Sequence, residues 1–207
     1  MIRRLSLLAL LGALAILPGC ALTEDTVRIQ YHSATAPSQI PEASRVTVEV
    51  RAVEGRGGGR PDQVSSKKNG YGMEMAAILS DRPVPQIVQQ AISDELRSTG
   101  FQLGAGSVVV VADVNKFSND YKVGFWSANA VAEVTLAIQV RDPSDRIVYA
   151  RTLTGQGNNG GAMIMGGENA RVSLESALSA AVLRLMSDPA FTRGLLDAGG
   201  SGGRRVS

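Results

Sequence analysis

The stretch "AVAEVTLAIQVRDPSDRIVYARTLT", residues 130–154, carries the clearest structural signal in the chain. Val134, Leu136, Ile138 and Val140 recur at every second position, which is the period of a strand with one buried face. The tetrapeptide "DPSD" that follows has proline at its second position, as in a common type of β-turn. "RIVYARTLT" then reads as a returning strand. The stretch therefore predicts an antiparallel β-hairpin.

Further strands are predicted on the N-terminal side of this hairpin. "RVTVEVRAV", which begins at Arg45, alternates apolar and polar residues in the manner of a half-buried strand. Residues 62–80 contain two weaker extended pieces around the hairpin signal Asn69-Gly70. "SVVVVADVNKF" is almost continuously apolar, which is typical of a strand placed centrally in a sheet.

Two segments have helical periodicity instead. "VPQIVQQAISDELRSTG" lies between the early and late strands, and Gly100 at its end is a natural helix stop. "NARVSLESALSAAVLRLM" follows the last strand. The order β-β-β-α-β-β-β-α predicts a single α+β domain over residues 44–196. We expect a mainly antiparallel sheet with two amphipathic helices packed on one face.

The N-terminus has the order of an export signal. Two arginines precede an apolar run from Leu5 to Ile16, which is too short to span a bilayer because spanning takes roughly 20 residues. "LPGC", residues 17–20, is similar to a bacterial lipobox. The resemblance implies a signal peptide over residues 1–19 and cleavage before Cys20. It also implies a diacylglycerol joined to Cys20 by a thioether and an N-acyl chain, and we expect no other cofactor.

The residues around this signal predict where the protein lies. Ala21 follows Cys20 where aspartate would favour the inner membrane, so we expect a lipid anchor on the periplasmic face of the outer membrane. Residues 20–43 are mostly polar, and we interpret them as the lipidated Cys20 and a flexible tether that holds the domain roughly 25–30 Å from the lipid. Residues 197–207, which end in "GGSGGRRVS" from Gly199, are interpreted as a disordered tail.

Composition excludes several classes of function. The 207 residues include one cysteine and one histidine, His32, which falls in the predicted tether. A catalytic triad or a zinc site therefore has no base or ligand set within the predicted domain. The formal charge of +2 gives no electrostatic case for binding nucleic acid. We accordingly expect no enzyme activity, no catalytic residues, no metal and no nucleic-acid partner.

The stretch "GQGNNG", residues 155–160, matches the spacing G-x-G-x-x-G. In a dinucleotide site the last glycine lies at the start of the helix and a second parallel strand follows. Here the predicted helix begins later, near Glu168, and only the C-terminus follows it. We therefore interpret the glycine-rich segment that runs from Gly155 as a flexible loop.

Two short segments are candidates for a contact surface. Phe125 and Trp126 concentrate aromatic side chains in a chain whose aromatic content is only 4%, and such residues are enriched at interfaces. Met163, Ile164 and Met165 form an apolar patch between glycines, and methionine adapts to varied partners. The alternatives are that the aromatics pack at a hairpin end and that the patch folds back over the core.

The pattern as a whole resembles the YajG-like family of bacterial lipoproteins. The resemblance rests on the lipobox, the valine-rich first strand, the helix ending in "STGF", the "VVVVADV" strand, and "NARVSLESALSAAVLRLMSDPAF". It implies an envelope lipoprotein of α+β fold that is attached to the outer membrane. It implies no reaction.

Three functions remain open at this point. The first is a non-enzymatic, lipid-anchored binding or accessory protein with an unidentified envelope protein as its partner. The second is a carrier of lipid or another hydrophobic ligand, as an auxiliary subunit of a lipid-transport ABC system, which requires an apolar groove between helices and sheet. The third is a hydrolase of cell-wall glycan, which requires two carboxylates about 5–9.5 Å apart in one cleft.

Overall fold

The computed structural model describes most of the chain after the N-terminal segment. The described ranges are residues 23–33, 38–69, 71–106, 108–123, 128–162 and 166–202. Within them the strands are β1 (Asp25–Val27), β2 (Thr47–Glu54), β3 (Gln63–Lys68), β4 (Glu74–Ser80), β5 (Gln102–Leu103), β6 (Val108–Val123), β7 (Ala128–Arg141) and β8 (Ile147–Ala162). The helices are α1 (Val84–Ser98), α2 (Gly167–Met186) and α3 (Pro189–Gly202).

The strands form two sheets, and the α+β prediction is confirmed. The larger sheet has the order β5-β2-β6-β7-β8, and the smaller has the order β1-β4-β3. The meander β6-β7-β8 and the hairpin β3-β4 are antiparallel, as predicted. The pairs β2–β6, β2–β5 and β1–β4 are parallel, which the sequence pattern did not predict. The chain crosses over through α1 between β2 and β6, and such a crossover brings the next strand back in the same direction.

The hairpin β7–β8 has the predicted turn. Asp142 Oδ1 accepts hydrogen bonds from the backbone N–H groups of Ser144 (2.8 Å) and Arg146 (3.1 Å), and this Asx-type bonding closes the turn. Asp145 has a φ of 60°, a left-handed conformation that aspartate tolerates better than most residues.

The core lies between the larger sheet and the helices. The inward residues of β7 predicted from its alternation are all at most 1% exposed. The apolar stripe of α2 packs against them and is equally buried, including Leu174, Leu178 and Leu185. A bulge at Asn115 in β6 moves the inward positions from even-numbered to odd-numbered residues, so that Phe117 and Tyr121 also face the core.

The prediction of a flexible loop from Gly155 is wrong for the described part of that segment, because β8 continues to Ala162. A Cβ atom at Gly155 would lie 2.1 Å from the Ala177 carbonyl oxygen, and one at Gly157 would lie 2.1 Å from the Ser173 carbonyl oxygen. The glycines let the backbone of α2 rest directly on the strand. They are therefore packing residues of a strand.

The prediction of a flexible tether is wrong for the described residues between 23 and 43. β1 pairs with β4, and Ile29 is fully buried. The N–H of Gln30 donates to Glu175 Oε1 (2.9 Å), and the Tyr31 hydroxyl donates to Glu95 Oε2 (2.7 Å). The segment is held because its few apolar side chains and its backbone polar groups find partners on both long helices. We call residues 23–33 the N-terminal strap.

The prediction of a disordered tail is also wrong as far as the structure describes it, because α3 extends to Gly202. Asp188 Oδ1 accepts a hydrogen bond from the Ala190 N–H (2.9 Å) at the start of this helix, as an N-cap does. Phe191, Leu195 and Ala198 then form a buried stripe with helical spacing. The apolar stripe holds the helix against the domain despite the glycines near its end.

Candidate functional site

All the residues singled out from the sequence as sites lie outside the described residues. These are the lipidation site Cys20 and the candidate contact residues Phe125, Trp126, Met163, Ile164 and Met165. Their roles therefore stay predictions. They belong to three segments, residues 1–22, 124–127 and 163–165, and the structure does describe the residues that border these segments.

The borders of the three segments meet at one place. The Tyr121 hydroxyl donates a hydrogen bond of 2.7 Å to the Gly166 carbonyl oxygen, which joins the end of β6 to the residue before α2. The Gly167 N–H donates a hydrogen bond of 2.9 Å to Asp25 Oδ2, which joins α2 to β1. We call Asp25, Tyr121, Gly166 and Gly167 the flank junction. The chain leads from it toward Cys20, toward the aromatic segment and toward the methionine segment.

An ion pair neutralises the carboxylate in this junction. Lys67 Nζ lies 2.8 Å from Asp25 Oδ1, and the lysine side chain is only 11% exposed. Burial alone would raise the pKa of Asp25, but hydrogen bonds from Lys67 and from the Gly167 N–H outweigh burial and lower that pKa. Burial and the Asp25 charge raise the pKa of Tyr121 to about 12. At neutral pH Tyr121 therefore stays a proton donor and Asp25 stays an acceptor.

Gly167 is required at the junction because of a close approach. A Cβ atom there would lie 2.7 Å from Val27 Cγ1 and 3.0 Å from Asp25 Cβ. A larger residue would therefore push the first turn of α2 away from β1. The glycine lets the helix begin directly against the strand that follows the predicted anchor.

A buried polar network joins β3, β6 and α2 close to the flank junction. The Ser65 hydroxyl donates to the Asn119 carbonyl oxygen (2.8 Å), and the Ser173 hydroxyl donates to Asn119 Oδ1 (2.7 Å). Asn119 Nδ2 in turn donates to Ser65 Oγ (3.2 Å). The three residues come from β3, β6 and α2, so the network ties the small sheet to the large one. No sequence pattern indicated this network, because its members are far apart in the chain.

The β3–β4 hairpin extends beyond the junction and carries exposed apolar side chains. Tyr71 is 91% exposed, Met73 58% and Met75 37%. Asn69 Oδ1 accepts hydrogen bonds from the N–H groups of Tyr71 and Met73, both at 3.0 Å, and so braces the turn. The sequence pattern predicted only a weak strand here. The available signal was three large apolar residues close to a turn.

Two clefts border the sheets, and both are lined largely by polar side chains. A cleft of about 450 Å³ lies between β3 and β6, and its lining includes Arg56, Lys68, Glu74, Lys116 and Asp120. A cleft of about 500 Å³ lies beside α1, and its lining includes Gln86, Gln89, Gln90, Ser93 and Arg97. Asp120 pairs with Lys68 in the first cleft, and Glu49 pairs with Arg51 (2.7 Å) at the second. These carboxylates are therefore held by neighbouring basic groups.

The described residues carry no cluster of His, Cys, Asp and Glu side chains that could hold a metal ion. His32 has a 65% exposed side chain, with Nε2 4.0 Å from Glu175 Oε2. Its carbonyl oxygen accepts a hydrogen bond from the Ser179 hydroxyl (2.7 Å), so its backbone is docked on α2.

A membrane-spanning helix is likewise not found within the described ranges, where every helix is too short or too polar to cross a bilayer.

Comparison with known proteins identifies a family and a fold. A crystal structure of a protein from Xanthomonas campestris, XCC0632, is similar at a TM-score of 0.57 and 15% identity, over 88% of this chain and 99% of that one. A minor lipoprotein from Acinetobacter baumannii gives a TM-score of 0.44 and 11% identity, over 72% and 93%. No curated protein matches the sequence. The model of a family described as uncharacterised lipoprotein matches residues 33–195. The chain therefore belongs to this family of uncharacterised lipoproteins.

Proposed function

We propose that the chain is a lipid-anchored protein of the bacterial envelope that binds another envelope component and catalyses no reaction. Within the lipoprotein family we assign it to the YajG-like group, on the sequence features given above. Ala21 places the anchor in the periplasmic leaflet of the outer membrane in this proposal. The lipid on Cys20 is its attachment to the membrane, and the partner is an unidentified envelope protein.

One observation carries the proposal: the domain begins almost at the predicted anchor. Only four residues separate Cys20 from Asp25, the first residue of β1. A fully extended chain spans at most about 3.3–3.6 Å per residue, so Asp25 lies within roughly 18 Å of the lipidated residue. The flank junction is therefore held next to the bilayer. An anchor this short suits a protein that acts at a fixed height above the membrane.

The polar groups of the molecule support binding over catalysis. The family is described as uncharacterised, so it supplies no reaction. The single histidine of the chain, His32, has an exposed side chain. Asp120 and Glu49, at the two clefts, pair with Lys68 and Arg51, whereas a glycoside hydrolase keeps one carboxyl group as an acid and the other as a base or nucleophile. A binding protein needs no such arrangement.

The packing of α2 favours a protein partner over a hydrophobic ligand. A carrier needs a groove between helices and sheet, but the α2 backbone touches β8 at Gly155 and Gly157. Water-sized voids are absent from so close an approach, and an apolar ligand would have to separate the helix from the sheet. The second cleft, beside α1, has Val48, Val50 and Leu103 in its lining, but its other side chains are three glutamines, Glu49, Ser93 and Arg97, which an acyl chain would leave without water.

The test compares the full-length wild type with Cys20→Ala in bacterial cells, by in-cell crosslinking, purification and mass spectrometry. We expect the wild-type N-terminal peptide to begin at Cys20 with added acyl mass, and one discrete envelope protein to crosslink to it. The Cys20→Ala variant should lose both the acyl mass and the crosslink. Identical fractionation of the two forms without acyl mass would overturn the lipid anchor. Co-purified lipid without a protein partner would support the carrier instead.

A further inference from the structure

The exposed side chains of the β3–β4 hairpin are unusual for a surface facing only water. Of the described residues, six large apolar side chains are exposed, and three of them, Tyr71, Met73 and Met75, belong to this hairpin. The Asn69 side chain braces the turn through two backbone hydrogen bonds. The backbone at Tyr71 and Met73 is therefore held by Asn69, and exposed apolar residues grouped on a surface commonly mark an interaction site.

The strand pairing relates this hairpin to the predicted anchor. β1 and β4 are parallel, and Asp25 is the partner of Ile78. The two strands therefore begin at the same end of the small sheet. The chain that precedes Asp25 and the chain that precedes Ile78 both lie on that side. Asp25 lies five residues after Cys20, and Ile78 lies five residues after Met73. An extended segment of that length spans about 17 Å, so the lipid on Cys20 can reach the level of Met73.

Ion pairs neutralise part of the charge at this end of the molecule, where the exposed Glu74 lies between Met73 and Met75. Lys67 pairs with Asp25, and Lys68 pairs with Asp120. Attraction to anionic headgroups is therefore not the main force expected here. What the hairpin offers is apolar and aromatic surface, and tyrosine in particular suits the boundary between hydrocarbon and water.

We propose that Tyr71, Met73 and Met75 insert into the interface of the bilayer that holds the lipid on Cys20, which gives the protein a second membrane contact. This inference rests on the proposed function, because it takes the lipidation of Cys20 as given. The bilayer is favoured over a protein as the occupant because the anchor brings it to within about 18 Å of Asp25. Acyl chains and inserted side chains then act together, as paired membrane signals do.

Depth-dependent quenching tests the inference. The lipidated full-length protein is reconstituted into phosphatidylethanolamine–phosphatidylglycerol vesicles that contain doxyl lipids, and Met73→Cys carries an environment-sensitive fluorophore. The thioether blocks Cys20, so the introduced cysteine is the reactive thiol. Ile147→Cys is the matched control, because Ile147 is 48% exposed and lies at the far end of the large sheet. Ile147 pairs with Arg141 of β7, whereas Ala130 of β7 pairs with Tyr121 of the flank junction. The stretch of β7 from Ala130 to Arg141 is about 37 Å long. We expect a blue shift and several-fold stronger quenching at residue 73.

A pair of charge variants separates insertion from mere proximity. Met75→Glu in the labelled protein replaces an inserted apolar side chain with a charged one, so the hairpin loses the favourable transfer free energy of that methionine. Insertion should weaken, and quenching at residue 73 should fall about tenfold. Ile147→Glu removes an exposed apolar side chain and adds the same charge at the far end, and it should change nothing. Both positions are exposed, so both variants should keep the wild-type melting temperature.

The outcomes divide clearly. Equal quenching at residues 73 and 147 would overturn the inference while leaving the lipid anchor standing. Shielding of the residue 73 fluorophore only after envelope proteins are added would overturn it in favour of a protein partner. Absence of acyl mass on Cys20 would remove the proposed function and this inference together. Quenching at residue 73 that persists in 0.5 M salt would support an apolar contact over an ionic one.

Discussion

At the scale of single residues, Gly155 and Gly157 explain a failure of prediction. Their spacing resembled a phosphate-binding loop, and the segment was interpreted as a flexible loop. The loop interpretation was wrong because glycine has two structural uses. It permits unusual backbone angles, and it permits close approach. Here β8 pairs with β7 in regular register at both glycines, and the close contact is with α2, whose residues lie about twenty positions further along.

Gly157→Ala tests that role. The added Cβ would lie 2.1 Å from the Ser173 carbonyl oxygen and 2.6 Å from the Ala177 nitrogen, so α2 or β8 must shift. We expect the free energy of unfolding to fall by about 2–3 kcal/mol, in the range of other overpacked cores. Urea denaturation measures the change.

Gly160→Ala is the control, because the nearest atom to its Cβ would be Asn129 Oδ1, at 3.5 Å. It should leave stability within about 0.5 kcal/mol of the wild type. Equal effects of the two substitutions would contradict the close-approach explanation.

Residue patterns predicted the core well and the candidate site poorly, for a physical reason. The alternation of Val134 and Leu136 reports one local period, and burial follows from it. The flank junction joins Asp25 to Gly167, which are 142 positions apart. A pattern read along one segment carries no information about such a pair. The exposure of Met73 and Met75 was missed for a different reason, since an apolar residue in a short strand is ordinarily expected to be buried.

At the scale of elements, the N-terminal strap shows how a polar segment can be part of a fold. It has a strand of only three residues and one fully buried side chain, Ile29, so it has no periodicity to detect. Scattered contacts hold the strap on the domain, such as the hydrogen bond that the Tyr31 hydroxyl donates to Glu95. Desolvation and the negative Glu95 both raise the pKa of the Tyr31 hydroxyl, which keeps it a donor.

Ile29→Ala distinguishes a docked strap from a tether. If the strap packs as the structure shows, removing the buried side chain should lower the free energy of unfolding by about 2–4 kcal/mol. A tether would give no change. Thermal and urea unfolding of the mature chain provide the measurement.

Arg28→Ala is the neighbouring control. The Arg28 side chain is 75% exposed and pairs with Asp81 at 3.2 Å, and a surface pair of this kind contributes little. We expect a loss below about 1 kcal/mol. A loss at Arg28 as large as that at Ile29 would mean that the strap is held by charge and not by burial.

At the scale of the whole molecule, the two ends of the long sheet differ. One end carries the tight turn between β7 and β8, which Asp142 closes. The other end carries the flank junction and the exposed hairpin, and the chain toward Cys20 leaves there. The start of β1 and the exposed apolar side chains therefore lie toward the same end of the molecule. This difference between the two ends is a property of the tertiary arrangement, and strand order alone would not reveal it.

Lengthening the connection to the anchor should uncouple the hairpin from the bilayer. A flexible Gly/Ser insertion of about twenty residues between Leu22 and Thr23 adds roughly 25 Å of mean reach. The effective concentration of the hairpin at the membrane then falls. We expect weaker quenching of the residue 73 fluorophore with unchanged thermal stability.

The same insertion at Gly58 is the control. A Cβ atom there would have no neighbouring atom within 4 Å, so this exposed loop can accept extra chain. Quenching should be unaffected. If the insertion before Thr23 also leaves quenching unchanged, the spacing from Cys20 does not govern the contact.

The parallel pairing of β1 has a consequence for the timing of maturation. The strap precedes its partners in the chain by a long interval, because Ile78 of β4 and then Gly167 of α2 are synthesised much later. Pairings over such separations form late, because the intervening chain must first be present. Under the proposed function, the cleavage and acylation enzymes would therefore meet Cys20 on an open chain, and the completed fold would afterwards bring the domain close to the membrane.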